Sequence, residues 1–304
     1  MGGAAAMDQG FLNLHKPSGL TSRKAIDPIQ RLARRAKVGH AGTLDPLASG
    51  VLVVGVGGAT RLIEYVRPMP KRYRGRFLLG RRSTTEDVEG EVTRLDDPPI
   101  PTLEQLVRAA QSFTGPIEQR PPAFSALKVQ GQRAYALARQ GREVRLAPRP
   151  IAVYRLEVVA YDYPELQLEI ECSSGTYVRS LGRDLAESLG TAAVMSGLVR
   201  TAVGPFRIEE ATPPDALDRE SWTEHLLPLC RAVEGLPRAE LSAAEIARIG
   251  AGQTISRRLA APSPGEVAAF DPAGRLAAIL VARGPDCWGP KINLPASKPA
   301  PETQ

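Results

Sequence analysis

Gly39-His40-Ala41-Gly42-Thr43-Leu44-Asp45-Pro46-Leu47-Ala48-Ser49-Gly50 sets one carboxylate, Asp45, in a glycine-flanked loop against a proline. An apolar run, Val51-Leu52-Val53-Val54-Gly55-Val56, follows directly, and His40 stands five residues before Asp45. A buried strand after such a loop anchors it so that Asp45 cannot drift, as a catalytic carboxylate requires. The same Asp-Pro pair also fits a helix start, with Asp45 as N-cap and Pro46 at the first helical position. Local chemistry leaves both readings open, so the segments around this one decide between them.

At 304 residues the chain has room for two domains, and 43% apolar content supports a packed core. Its 39 basic and 33 acidic residues give a net charge of +6. That excess suits a polyanionic partner without proving one. Cys172, Cys230 and Cys287 are widely spaced and odd in number, which argues against a disulfide framework or a thiolate zinc site and fits a reducing cytoplasm. His15, His40 and His225 lack metal-ligand spacing, so no metal is expected. No apolar stretch reaches membrane-spanning length, and Met1-Gly2-Gly3-Ala4-Ala5-Ala6 does not read as a secretory signal. Gly55-Val56-Gly57-Gly58 has neither the ending of a phosphate loop nor GxGxxG spacing.

Leu166 to Cys172 alternates strictly and predicts a half-buried strand. Phe11 to Leu14 and Tyr73 to Leu79 read as strands, the second running into a Gly80-Arg81-Arg82 turn. Thr21-Ser22 caps a helix carrying Ile26, Ile29 and Leu32, and Thr60 to Val66 reads as a short helix. Thr102 and Gln105 form a capping box, as do Ser242 and Glu245. A Ser-Ser-Gly turn precedes a helix with Val178, Leu181, Leu185 and Leu189, closed by Gly190. Between them, residues 116–150 are punctuated by prolines and carry Arg120, Lys128, Arg133, Arg139, Arg142, Arg145 and Arg149. They read as an inserted basic arm or as a solvated surface excursion. Near the end, Val267 to Phe270 and Leu276 to Val281 flank an Asp271-Pro272-Ala273-Gly274 turn, and residues 296–304 should be disordered. Strands and helices mix without regular βαβ alternation, so the fold class is α+β.

The Asp45 segment resembles the catalytic motif of the TruB family, the bacterial tRNA pseudouridine-55 synthases, and further blocks match in order. His15-Lys16-Pro17-Ser18-Gly19-Leu20-Thr21-Ser22 resembles the family's opening signature. Lys71 to Arg74, Ser83 to Gly90, Arg120 to Lys128 and Cys172 to Arg179 resemble its later blocks. The likeness runs from about Gly10 to Phe206 and more weakly to about Leu294. It implies a mixed, mainly antiparallel central sheet whose cleft holds the active site, and a small C-terminal PUA-like β domain. The implied layout is a disordered segment over 1–9, a catalytic domain over 10–235 with an RNA-gripping arm at about 116–150, and a PUA-like domain over 236–295.

The resemblance also implies an activity. Pseudouridine formation breaks the N1–C1′ bond of uridine, turns the base and rejoins it through C5. This is an isomerisation, so no cofactor is expected, and it needs a nucleophile, a proton-moving group and a pocket for the detached uracil. Carried over residue by residue, Asp45 is the nucleophile, attacking either ribose or base. Arg179 pairs with it, and Tyr73 packs on the base and is implicated in proton transfer. Tyr177 and Leu198 line the pocket, and His40 fills the stack vacated by the flipped nucleotide. Lys16 and Pro17 support the Asp45 loop, and Asp87 orients substrate or structure. The implied partner is the T stem-loop of tRNA, with no membrane, no obligate protein partner, a monomer and a cytoplasmic location. Thr84, the Ala123-Phe124 pair and Val199 depart from the family pattern, which bears on fine substrate contacts and not on the chemistry. The competing readings are a pseudouridine synthase for another RNA, a non-catalytic tRNA-folding chaperone, and an aspartate-based hydrolase.

Overall fold

Strict alternation in Leu166–Cys172 becomes an interior strand of a large sheet. The structure, a computed structural model, describes residues 9–125, 128–129, 132–134, 146–259 and 265–294. The arm residues Arg139, Arg142 and Arg145 and the two end segments expected to be disordered (Gln9 apart) lie outside these. The N-terminal half contributes β1 (Gly10–Lys16), α1 (Ser22–Leu32), β2 (Val38–His40), β3 (Ser49–Val56), α2 (Ile63–Val66), β4 (Lys71–Leu79), β5 (Arg81–Ser83), β6 (Val92–Arg94) and α3 (Leu103–Ser112). There follow β7 (Gly115–Gln119), the short pair β8 (Lys128–Val129) and β9 (Gln132–Arg133), β10 (Arg149–Asp162), β11 (Glu165–Cys172), α4 (Val178–Glu187), β12 (Ala193–Val203) and β13 (Phe206–Arg207). A last unit holds β14 (Arg238–Glu240), α5 (Ala243–Gly250), β15 (Ile255–Ser256), β16 (Glu266–Phe270), β17 (Leu276–Gly284) and β18 (Cys287–Asn293).

The large sheet runs β1-β3-β12-β4-β11-β10-β7, with β2 added to β3 and β13 to β12. Its neighbours are antiparallel except β3 and β12, whose short parallel contact pairs Ser49 with Val199 and Gly50 with Arg200. Gly50 has a φ of +98°, and a Cβ there would lie 2.3 Å from the Arg200 carbonyl oxygen. Glycine is therefore required where the Asp45 loop enters the sheet. No helix follows Asp45. Instead the Ala48 amide donates to the Asp45 carbonyl (3.1 Å) in a turn that leads into β3, which removes the helix-cap reading.

Alternation along β4 sends Phe77 and Leu79 to a core shared with α3 and α4, while Arg72 and Arg74 face solvent and pair with Glu171 and Glu169. Both capping boxes form, at Thr102 for α3 and Ser242 for α5. The two ends of the stretch expected as an arm, about 116–150, lie in the large sheet. Residues 115–119 and 149–153 pair as antiparallel strands at the sheet edge. Pro116 sits in β7, the last strand of the sheet order, and an edge strand tolerates a missing donor. The C-terminal strands form a second sheet, β14-β16-β17-β18-β15. Phe11, Val51 and Phe206 of the large sheet share a core with Ala268, Phe270 and Ile279 of the small one. Lys291 and Tyr65 close that junction, each donating to Glu266, at 2.8 and 2.6 Å.

Helix α4 lies close on β4 because Gly182 lacks a side chain. A Cβ there would fall 2.0 Å from Phe77 Cε1. Alanine adds about 1 kcal/mol of helix propensity, whereas overpacking costs about 1–3 kcal/mol. At so short a contact the second term wins. Gly182→Ala should lower the melting temperature by about 2–6 °C, with Phe77→Leu in the same chain recovering much of the loss in a thermal melt.

Candidate active site

The Asp45 loop is held from below by the Lys16–Ser22 segment. Lys16 is fully buried, and its ammonium donates to the carbonyls of Pro17 (2.9 Å), Leu20 (2.6 Å) and Pro46 (3.3 Å). Three acceptors match its three N–H donors. Gly19 N–H also donates to Pro46 O (2.8 Å), and Ser18 Oγ to Leu47 O (2.8 Å). Buried Ser22 uses its hydroxyl both ways on Leu44, accepting from the amide at 2.8 Å and donating to the carbonyl at 3.0 Å. From above, Arg200 Nε donates to Val51 O (2.7 Å), and its Nη atoms reach Gly42 O (3.2 Å) and Thr43 O (3.4 Å). The residue is 2% exposed. The backbone on both sides of Asp45 is thus pinned by buried cations, and its carboxylate alone projects outward, 39% exposed.

Arg179 meets it there. Its Nε lies 3.0 Å from Asp45 Oδ2, and its own side chain is 7% exposed. Nη1 donates to Thr85 O (2.6 Å) and lies 3.4 Å from Asp87 Oδ2, and Nη2 donates to Phe124 O (3.2 Å). Arg179 stands in the first turn of α4, where the helix dipole disfavours a cation and where no acidic residue occurs. The four oxygens offset that cost. Only a planar fork reaches all of them at once; a lysine ammonium could not.

Asp87 is 3% exposed, accepts from Thr85 Oγ1 (2.5 Å) and from Glu89 N–H (3.1 Å), and fixes the inner side of the guanidinium. Glu89 is pushed up by burial and by repulsion from Asp87 and Asp45. Three carboxylates, Asp45, Asp87 and Glu89, therefore cluster here, with Arg179, Lys16 and Arg200 as the balancing cations.

Tyr73 sits on β4 between Ile170 and Arg200, packed on the same core as Leu198, which is 8% exposed. Burial pushes its phenol above the ordinary range, Arg200 pulls it partly back, and the group feels the Asp45 charge. Tyr177 caps α4 without a side-chain capping bond. Its backbone is held by Gln119, whose Oε1 accepts the Tyr177 amide (2.8 Å) and whose Nε2 donates to its carbonyl (3.0 Å). His40 ends β2, half-buried, with its imidazole pushed below its ordinary value by burial and by the charges of Arg200 and Arg67.

The structure therefore gathers Asp45, Arg179 and Asp87 in direct contact, with Lys16 beneath and Tyr73 and Leu198 in the adjoining core. Sequence reasoning missed Arg200, Ser22 as a loop clamp, and Gln119. An arginine inside the apolar run of β12 is the one local signal that would have exposed Arg200. Among the described residues no group of His, Cys, Asp or Glu could hold a metal ion.

Comparison with known proteins bears on the family and the fold. A family model described as TruB family pseudouridylate synthase (N terminal domain) matches residues 30–178. The tRNA pseudouridine synthase B of Arthrobacter sp. (strain FB24) is 40% identical over 291 residues, covering 91% of this chain and 94% of that protein. That of Thermosipho melanesiensis is 42% identical over 232 residues, 76% of each. Among solved structures, a chain of a Cbf5-Nop10-Gar1 complex superposes with a TM-score of 0.69 at 25% identity, over 92% of this chain and 80% of that one. An ordered motif series, a carboxylate gripped by a buried arginine on the implied sheet, and relatives about 40% identical over three quarters or more of their length lead to one assignment: the chain belongs to the TruB family of pseudouridylate synthases.

Proposed function

We propose that the protein converts uridine 55 in the T-loop of tRNA to pseudouridine. The observation that carries the chemistry is the Arg179–Asp45 pair at 3.0 Å, with the carboxylate facing outward and everything behind it fixed. The relatives' names, tRNA pseudouridine synthase B, support the substrate.

The reaction balances within one molecule: N1–C1′ breaks, C5–C1′ forms, C5 loses a proton and N1 gains one. Asp45 acts while ionised, either bonding to ribose or base or balancing positive charge on the sugar, and Arg179 keeps it aimed. Tyr73 and Leu198 provide the floor on which the detached uracil turns, with Tyr177 at its edge. The raised Tyr73 phenol stays protonated at neutral pH, so it serves through its ring face and its O–H group rather than as a phenolate. His40 is neutral at that pH, which suits stacking into the gap left by a flipped nucleotide, worth about 1–3 kcal/mol. Lys16 and Asp87 position Asp45 and Arg179. The enzyme works as a cytoplasmic monomer with no cofactor and no obligate protein partner. Among the described residues no helix is long and apolar enough to cross a membrane.

Incubation with tRNA tritiated at uracil C5 should release tritium to water, and Asp45→Asn should abolish release while tRNA binding persists. Binding without release by the wild type would mark an RNA chaperone, and free uracil with abasic RNA would mark a hydrolase.

Lys16 gives a pH signature. Burial lowers its ammonium to about 8 from 10.5, with the Asp45 charge acting in the opposite direction. Between those values the unfolded chain binds more protons, so this group adds to stability as pH rises through the window. Activity should move the other way, because the neutral amine has one donor fewer for the loop. Single-turnover rates should fall above about pH 8 while Lys16→Met gives a lower profile without that fall; a flat wild-type profile to about pH 9.5 would count against this role for Lys16.

A further inference from the structure

One helical turn beyond Arg179, a second ion pair is enclosed that the chemistry above does not use. Arg183 Nη1 pairs with Glu86 Oε1, the side chains being 18% and 13% exposed. Ser180 Oγ donates to the other Glu86 oxygen at 2.7 Å. Arg183 Nη2 donates to the Arg120 carbonyl (3.0 Å) and to Asp184 Oδ1 (2.7 Å). Glu86 has a φ of +64°, in the left-handed region that side-chain-bearing residues seldom adopt. Its backbone is stitched on both sides: Glu86 N–H donates to Ser83 O (3.2 Å), and Met195 N–H donates to Glu86 O (3.0 Å).

A strained residue held from so many directions points to a function, and a buried pair is weak evidence for stability alone. What it grips is informative. The residues flanking Glu86 supply Arg179 with the Thr85 carbonyl and the Asp87 carboxylate. Arg120, gripped by Arg183, opens the stretch whose Phe124 carbonyl accepts from Arg179 Nη2. Three of the four oxygens around Arg179 therefore sit on two backbone segments tied together by Glu86 and Arg183. The fourth is the Asp45 carboxylate.

We infer that Glu86 and Arg183 are positioning residues for the reaction, acting through Arg179 to aim the Asp45 carboxylate at the target nucleotide. The inference rests on the tRNA reading given above. If Arg179 loses its fixed oxygens, Asp45 keeps its charge and tRNA keeps its grip, but the carboxylate is presented loosely, and small misplacements are costly in rate.

The test compares wild type with Glu86→Gln, Arg183→Met and the double variant. It measures single-turnover tritium release at saturating C5-tritiated tRNA, tRNA Kd by filter binding, and thermal melting. Each single variant should lose rate by about tenfold with Kd within about twofold. The double variant should be no slower than the slower single one, since both act through one guanidinium. Glu86→Gln preserves side-chain shape and is the variant to rely on if Arg183→Met melts below the assay temperature. Full rate in folded variants, a loss confined to Kd, or losses that multiply in the double variant would each overturn the inference. Wild type separates the two readings: no release by it counts against the tRNA activity itself, whereas normal release by wild type and variants alike counts against the positioning role.

Discussion

A single guanidinium settles how this site is built. Arg179 must stay buried to fix Asp45, and a buried cation without partners would cost several kcal/mol. It therefore draws in Asp87, Thr85 O and Phe124 O as well as Asp45, at 2.6 to 3.4 Å. Each of those oxygens needs its own support. Asp87 takes hydrogen bonds from Thr85 and Glu89, and the Thr85–Asp87 turn is stitched to β12 through Met195. The need to stabilise one charge thus spreads through four separate stretches of chain.

The carboxylate has the complementary problem. Asp45 must reach solvent while its backbone stays fixed, so rigidity comes from both sides of the loop, through Lys16 and Ser22 on one and Arg200 on the other, whose polar groups are spent on backbone carbonyls and one amide. The Lys16–Ser22 motif and the Asp45 motif act as one structural unit. The first supplies donors that the second, a loop with few ladder bonds, cannot supply for itself. The junction between the two sheets adds a second level of rigidity, since Val51 and Val53 of β3 lie in the core shared with the small sheet.

Much of this was legible in the sequence, for identifiable reasons. Leu166–Cys172 alternated because one face of β11 is buried, and the capping boxes at Thr102 and Ser242 are local chemistry that needs no partner. The Asp45 loop and its apolar strand could be read for the same reason. β10 could not. Register shifts between Val153 and Arg155 and between Val158 and Ala160 break its period, and prolines at its start and in its partner strand look like loop signals. The Asp45 helix-cap alternative shows the limit of local reading, because Asp-Pro suits a turn before a strand as well as a helix start. Contacts such as Arg179 to Thr85, 94 positions apart, leave no local trace, and Arg200 was hidden because one arginine in an apolar strand does not say what it binds. Among the candidate site residues, order and motif pointed to Asp45 and Arg179, while the scaffold that holds the two together became visible only in three dimensions.

The most direct check of the account is Arg179→Lys, which keeps the charge and removes the planar fork. Single-turnover pseudouridine formation should fall by about a hundredfold or more while tRNA affinity stays within about twofold, because the ammonium cannot hold Asp45 and the three other oxygens together. A folded Arg179→Lys protein with a near-wild-type rate would show that Asp45 does not depend on this geometry, and the account would be wrong at its centre.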